Sequence, residues 1–175
     1  MVSSQALSES DRRIVAGWAA DCAERVLPLF EAEAPGNTVP RDAIDRARAF
    51  SRGELGAAEE IRRRFVAGRA ANEVSSPAAV AAARSAAQAS GVAHMGAHAL
   101  GAAAYAAKAA GSAAGAPAGD DEIAWQLAHM SADVRAALAR LPLLGTDPAG
   151  PLGTGLLASG ALGATIRSLQ AAIAK

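Results

Sequence analysis

Aromatic side chains and cysteine are scarce in this chain. Aromatic residues make up 3% of the 175 positions, although 51% of the positions are hydrophobic. The core therefore has to be built mostly from Ala, Leu, Val and Ile, which suits closely packed helices. Cys22 is the only cysteine, which excludes a disulfide bond within the chain. We expect this thiol to be a small buried group rather than a nucleophile.

The chain also lacks net charge and long apolar runs. Lys plus Arg and Asp plus Glu number 17 each, so no overall field attracts the protein to nucleic acid or anionic lipid. No run of about 18 apolar residues is free of charges and glycines, which argues against a membrane span. The first ten residues show no signal-peptide pattern. We expect a cytoplasmic protein with no nucleic-acid or membrane partner.

The apolar spacing along the chain is helical throughout, with no alternating strand pattern. It predicts an all-α, single-domain bundle of about six to seven helices over residues 1–175, in which residues 142–158 form an irregular Gly/Pro-rich connection to a C-terminal helix. Residues 111–119 are predicted to be a flexible loop. The predicted helices span about 8–32, 40–52, 54–73, 77–91, 92–111, 120–141 and 160–174.

Charged residues interrupt the apolar stripes of three of these helices. Asp21 and Arg25 lie four residues apart within the stripe of the first helix, Arg48 lies in the second and Arg62 in the third. A solvated ion pair would normally occupy the opposite face, so these side chains are expected to point inward. The run 62–64, three arginines, is interpreted as a solvated helical turn.

Residues 93–108 carry the most informative pattern. His94, His98 and Tyr105 are spaced four and seven apart among alanines, which places their rings on one face of a helix. Two histidines four apart can chelate a metal ion, but Met95 stands where a metalloprotease helix has its acid, and no third ligand is evident. We therefore expect neither a metal nor another cofactor.

A polar pocket is the second interpretation of these rings. In it, His94, His98, Tyr105 and Asp21 are the candidate catalytic residues. The candidate substrate-binding residues are Arg25, Arg48 and Trp18. Such a cluster would bind a polar small molecule or move protons near neutral pH. The alternative is that these groups are satisfied core polar residues that fix the register of the helices.

Several fragments, in this order, resemble the immunity-5-like family of bacterial immunity proteins over roughly residues 10–141. They are Trp18-Ala-Ala-Asp21-Cys22-Ala-Glu-Arg25, Pro40-Arg41-Asp-Ala-Ile44, Ala47-Arg48-Ala-Phe50, the His94 to Tyr105 stretch, and Trp125-Gln126. The resemblance implies an all-helical cytoplasmic protein that neutralises a toxin made by the same or a neighbouring bacterium. The chain departs from the family near Gly68, where another polar ring is expected, and in its 142–175 tail.

Three functions follow from these observations. The first is an immunity-type protein that binds and neutralises a partner toxin. The second is a small helical biosynthetic enzyme, a lyase, isomerase or cyclase, in which His94 or His98 is the acid or base, Tyr105 donates a hydrogen bond, and Arg25 or Arg48 holds an anion. The third is a scaffold that forms a homodimer through an exposed Ala-rich helix.

Overall fold

The computed structural model describes residues 2–63 and 65–175, and its secondary structure is helical. Arg64, the last residue of the predicted arginine turn, lies outside the described residues. The described part contains eight α-helices and no strand, which confirms the all-helical fold and makes the predicted count of six to seven slightly low. The α-helices are α1 (Glu9–Glu31), α2 (Val39–Ser51), α3 (Ala57–Arg63), α4 (Pro77–Gly91), α5 (His98–Ala114), α6 (Ala116–Ala128), α7 (Ala132–Leu138) and α8 (Gly160–Ile173).

Helix α5 is the centre of the bundle and packs against α1, α4, α6 and α8. Its buried face is built almost entirely from alanine, with Leu100 and Tyr105 as the large exceptions. Small side chains allow neighbouring helices to approach closely. At the contact with α6, a Cβ atom on Gly119 would lie only 3.2 Å from the carbonyl oxygen of Ala107. Each of these contacts removes apolar surface from water, which stabilises the bundle.

The helices begin where the sequence offers a capping hydroxyl. Ser8, Ser76 and Ser131 each accept a hydrogen bond from a backbone N–H in the first turn of α1, α4 and α7, which satisfies one of the unpaired donors there. The cap at Ser131 also explains why the predicted helix over 120–141 is divided into α6 and α7. The predicted helix over 54–73 is likewise divided, into α3 and a 3-10 helix (Ala67–Glu73).

The predicted flexible loop over 111–119 is wrong. Helix α5 continues to Ala114 and α6 begins at Ala116, so only Gly115 separates them. Its φ of +92° is strained for other residues but accessible to glycine, and this allows the chain to turn within one residue. In the described part of the chain, no helix has both the length and the apolarity needed to cross a bilayer.

Candidate functional site

The predicted helix over 92–111 begins later than expected, at His98. Residues 92–97 form a turn instead, because the N–H groups of Gly96 and Ala97 donate to the carbonyl oxygens of Ala6 and Gln5, both at 3.0 Å. His94 therefore lies in this turn, whereas His98 and Tyr105 lie on α5. The N-terminal segment thus determines where α5 starts.

Gln5 also holds a second segment in place through its side chain, which is 1% exposed. Its Nε2 donates to the carbonyl oxygen of Ala149 at 2.6 Å and to Asp147 Oδ2 at 3.0 Å. Its Oε1 accepts from the N–H of Leu152 at 2.8 Å. These bonds fix the irregular chain between α7 and α8 beside the turn at His94.

A cavity of about 420 Å³ lies between these two segments and opens to solvent on one side. One wall consists of Gln88 from α4, His94 and Met95 from the turn, and His98 and Tyr105 from α5. The other wall is contributed by residues 150–157. The structure therefore brings the three predicted rings to a common cavity, although only two of them share a helix.

His98 is held in one orientation and is uncharged at neutral pH. Its Nδ1 is 2.8 Å from Gln88 Oε1, and its ring packs on Gly91, where a Cβ atom would lie 3.0 Å away. Burial lowers the pKa of His98 to about 4, with a smaller contribution from His94. Because Gln88 Oε1 can only accept, Nδ1 carries the proton and Nε2 is left as an acceptor.

Gly101 leaves the room that Gln88 needs. A Cβ atom at Gly101 would overlap Oε1 of Gln88 and would lie 3.2 Å from Leu157 Cδ1. Gly101, one helix turn beyond His98, is therefore the position at which the side-chain amide of Gln88 packs on the surface of α5. This amide is the group that orients His98.

Tyr105 is 7% exposed, and this burial raises the pKa of its phenol, opposed by the charge of Arg84. The phenol is thus protonated at neutral pH and can donate a hydrogen bond. Among the residues described, none hydrogen-bonds to its hydroxyl or to His98 Nε2, and neither atom is sealed from solvent. The cavity therefore offers His98 Nε2 as an acceptor and the Tyr105 hydroxyl as a donor. Nε2 of Gln88, which has no hydrogen-bond partner among the described residues, is a further donor in the same lining.

The four other predicted site residues lie elsewhere, so the expected shared cluster does not form. Arg48 pairs with Asp21 at 2.8 Å across α1 and α2, and also with Glu24. Trp18 is buried, and its Nε1 donates to the carbonyl oxygen of Gln126 at 3.0 Å.

Arg25 has its own partners on α6. Its Nε contacts both carboxylate oxygens of Glu122, at 2.9 and 3.0 Å, and its guanidinium lies 3.9 Å from the centre of the Trp125 ring. The prediction that the charges in the apolar stripes point inward is wrong for Asp21, Arg25 and Arg62, which are exposed. Arg48 is only half-buried. Asp21, Arg25 and Arg48 pair across helices at the edge of the core. None of the four other predicted site residues lines the cavity.

Neither metal chemistry nor thiol chemistry finds support at these positions. Within residues 2–63 and 65–175, no three His, Cys, Asp or Glu side chains are grouped as a metal site requires, so His94 and His98 have no third ligand. Cys22 is completely buried, and burial is the main cause that raises the pKa of its thiol. A protonated thiol in the core is a poor nucleophile.

Sequence reasoning missed Gln5, Gln88 and the 150–157 wall as parts of this site. Gln88 did offer a signal, since it is a long polar residue in an alanine-rich helix. The other two offered none, because their contacts join positions more than 140 residues apart.

The family model described as "Imm-5 like putative immunity protein" matches residues 5–133, which is most of the chain and includes Gln5, Gln88 and the three cavity rings. The 150–157 wall lies beyond the matched region. Comparison with curated proteins and with solved structures gave no match. The chain therefore belongs to the Imm-5 like putative immunity protein family.

Proposed function

We propose that the protein is a cytoplasmic immunity protein that binds and neutralises a partner toxin. The family match over residues 5–133 is the observation that carries this proposal. The helical body, in which α5 packs against four other helices, supports this proposal because such a body can present a preformed surface. Preformed surfaces bind with a smaller loss of conformational entropy.

The cavity face is the surface that we assign to the toxin. Leu156, on the cavity rim, is 69% exposed, and His94 beside it is also exposed. Exposed apolar groups around a concave opening are typical of binding surfaces. The α1–α2 face is a weaker candidate because its arginines, such as Arg48 and Arg41, already pair with carboxylates of this chain.

A co-expression experiment tests this proposal. Cells carrying the toxin gene next to this gene should survive when the wild-type protein is expressed. Leu156→Asp should abolish that protection and weaken the purified complex at least tenfold, because it places a charge in the interface. Leu143→Asp is the matched control, since Leu143 is 63% exposed but lies outside the cavity wall. Lack of protection by the wild type would refute the function, and equal protection by both variants would refute the face.

An enzyme is the second candidate function, favoured by the neutral imidazole of His98 and the protonated phenol of Tyr105 in one cavity. Those two groups would serve a lyase, isomerase or cyclase as base and hydrogen-bond donor. Arg25 and Arg48 are not available there to hold an anion. This candidate would be supported if both His98→Asn and Tyr105→Phe abolished turnover. Tyr105→Phe should at the same time retain the melting temperature of the wild type. Protection that requires one immunity protein per toxin molecule would support the binder.

A further inference from the structure

The cavity lining includes no Asp, Glu, Lys or Arg, and the buried ring of His98 remains neutral because burial lowers its pKa to about 4. Arg84, whose charge acts on the Tyr105 phenol, is exposed and lies outside this lining. A charged group that entered this space would lose part of its hydration and would find no ionic partner in the lining, which is unfavourable. The lining therefore discriminates against anions and cations.

The polar atoms that the cavity offers match the hydrogen-bonding groups of an amide in kind. Nε2 of His98 can accept a hydrogen bond, and the hydroxyl of Tyr105 and Nε2 of Gln88 can each donate one. A carboxamide has an N–H for the acceptor and a carbonyl oxygen for a donor. Met95 and Leu157 line the same space and can cover the apolar part of a ligand. The volume of about 420 Å³ lies in the range typical of small-molecule pockets.

We propose that the cavity between α4, α5 and residues 150–157 is a binding site for an uncharged small molecule that carries a carboxamide-type group on an apolar body. The ligand donates to His98 Nε2 and accepts from the Tyr105 hydroxyl, while Gln88 keeps the His98 ring in the accepting tautomer. This site goes beyond toxin neutralisation, because a free small molecule can occupy it in the absence of any partner protein.

Three isosteric probes test directly whether the cavity prefers a neutral ligand to a charged one. Benzamide, benzoate and benzamidine share a ring and a planar head group but are neutral, anionic and cationic. Each is titrated to about 20 mM into the full-length ¹⁵N-labelled protein, and amide shifts are followed by NMR, as suits millimolar affinity. We expect saturable binding of benzamide, with shifts centred on Gly101 and Gly155, and at least tenfold weaker binding of both charged probes. Equal binding of all three, tighter binding of a charged probe, or no binding of benzamide would overturn the proposal.

Two variants locate the probe. Tyr105→Phe keeps the ring in the core and removes only the hydroxyl, so it should weaken benzamide binding about fivefold. His98→Leu should weaken it by a similar factor, whereas His129→Leu, in an exposed residue stacked on Trp125, should leave it unchanged. If Tyr105→Phe bound benzamide as tightly as the wild type does, the assignment of this cavity as the binding site would be overturned. This outcome can be read even if His98→Leu does not fold. N-acetyl-glutaminamide binding more than tenfold tighter than benzamide would assign the cavity to a partner's side chain instead.

Discussion

His98 makes the stability of this protein depend on pH in a range where carboxylates contribute little. Its pKa is about 4 in the folded protein and 6.5 in an ordinary solvated histidine. When the pH falls below 6.5, the unfolded chain binds a proton at this position that the folded protein does not accept until about pH 4. The folded state therefore loses stability as the pH falls from 7 towards 4.

The magnitude follows from these two pKa values. Between pH 7 and pH 5, these two values give a loss of about 1.8 kcal/mol at this single site. The ring lines an open cavity, and the solvent contact reduces our expectation to about 1–1.5 kcal/mol. For a chain of this length, that loss corresponds to a decrease in melting temperature of about 2–6 °C. Glu33, whose pKa is lowered to about 2 by hydrogen bonds from Ser75 and Ser76, contributes only at lower pH.

Urea unfolding at pH 7, 6 and 5 measures the effect, with His98→Asn as the comparison. Asn cannot titrate, so the difference between wild type and His98→Asn isolates the contribution of this imidazole. His129→Asn is the control, because His129 is exposed, and its profile should follow that of the wild type. Parallel profiles for wild type and His98→Asn, or an NMR titration of the His98 ring centred near pH 6.5, would refute the reasoning.

Three substitutions test the packing around the site and the ion pair between Arg46 and buried Glu60. Gln5→Ala should reduce the free energy of unfolding by about 2–3 kcal/mol, because it leaves buried backbone groups unpaired, and hydrogen exchange should accelerate at residues 150–157. Gly101→Ala should destabilise by about 1–2 kcal/mol despite the better helix propensity of alanine, because its Cβ displaces Gln88; urea unfolding measures this loss. Arg46→Met should cost about 2–3 kcal/mol in thermal unfolding, since it leaves Glu60, 3% exposed, without its partner.

Controls for these substitutions are available in the same chain. Ser4→Ala removes an exposed hydrogen bond to the same Asp147 that Gln5 contacts, and it should change stability by less than about 0.5 kcal/mol. Arg52→Met breaks an exposed pair with Glu54, so it should cost much less stability than Arg46→Met does. Losses in these controls as large as those in the test variants would contradict the role assigned to burial.

The helices that the sequence predicts well are those whose ends are determined by nearby residues. Helix α1 begins after the cap at Ser8, and α4 begins at Pro77 after the cap at Ser76; both positions were predicted. The boundaries that were wrong depend on other causes. Gly115 turns the chain without a loop, and the start of α5 depends on hydrogen bonds from the turn to Gln5 and Ala6.

The candidate site divides in the same way between local and distant contacts. His98 and Tyr105 share a face because a spacing of seven fixes it, and this part of the site was visible in the sequence. The charges were misplaced because an arginine in an apolar stripe indicates a partner but does not say on which helix. Arg25 pairs with Glu122, which lies 97 positions further along the chain. The apolar stripe alone could not predict whether this arginine would pair with a carboxylate on another helix or line a cavity.

The two walls of the cavity contribute different things: one supplies the hydrogen-bonding atoms, and the other supplies the apolar surface and the shape of the opening. The hydrogen-bonding atoms of His98 and Tyr105, and Gln88 that orients His98, all lie within the matched residues 5–133. Leu156 and Leu157 lie beyond that region and supply apolar surface and the rim. Because the proton on His98 depends on contacts with Gly91 and Gln88, changes in the second wall alter the shape of the opening without altering the hydrogen-bonding chemistry. In the binding site that we propose, the first wall would thus determine what kind of group can bind, and the second would determine which molecule carrying that group can enter.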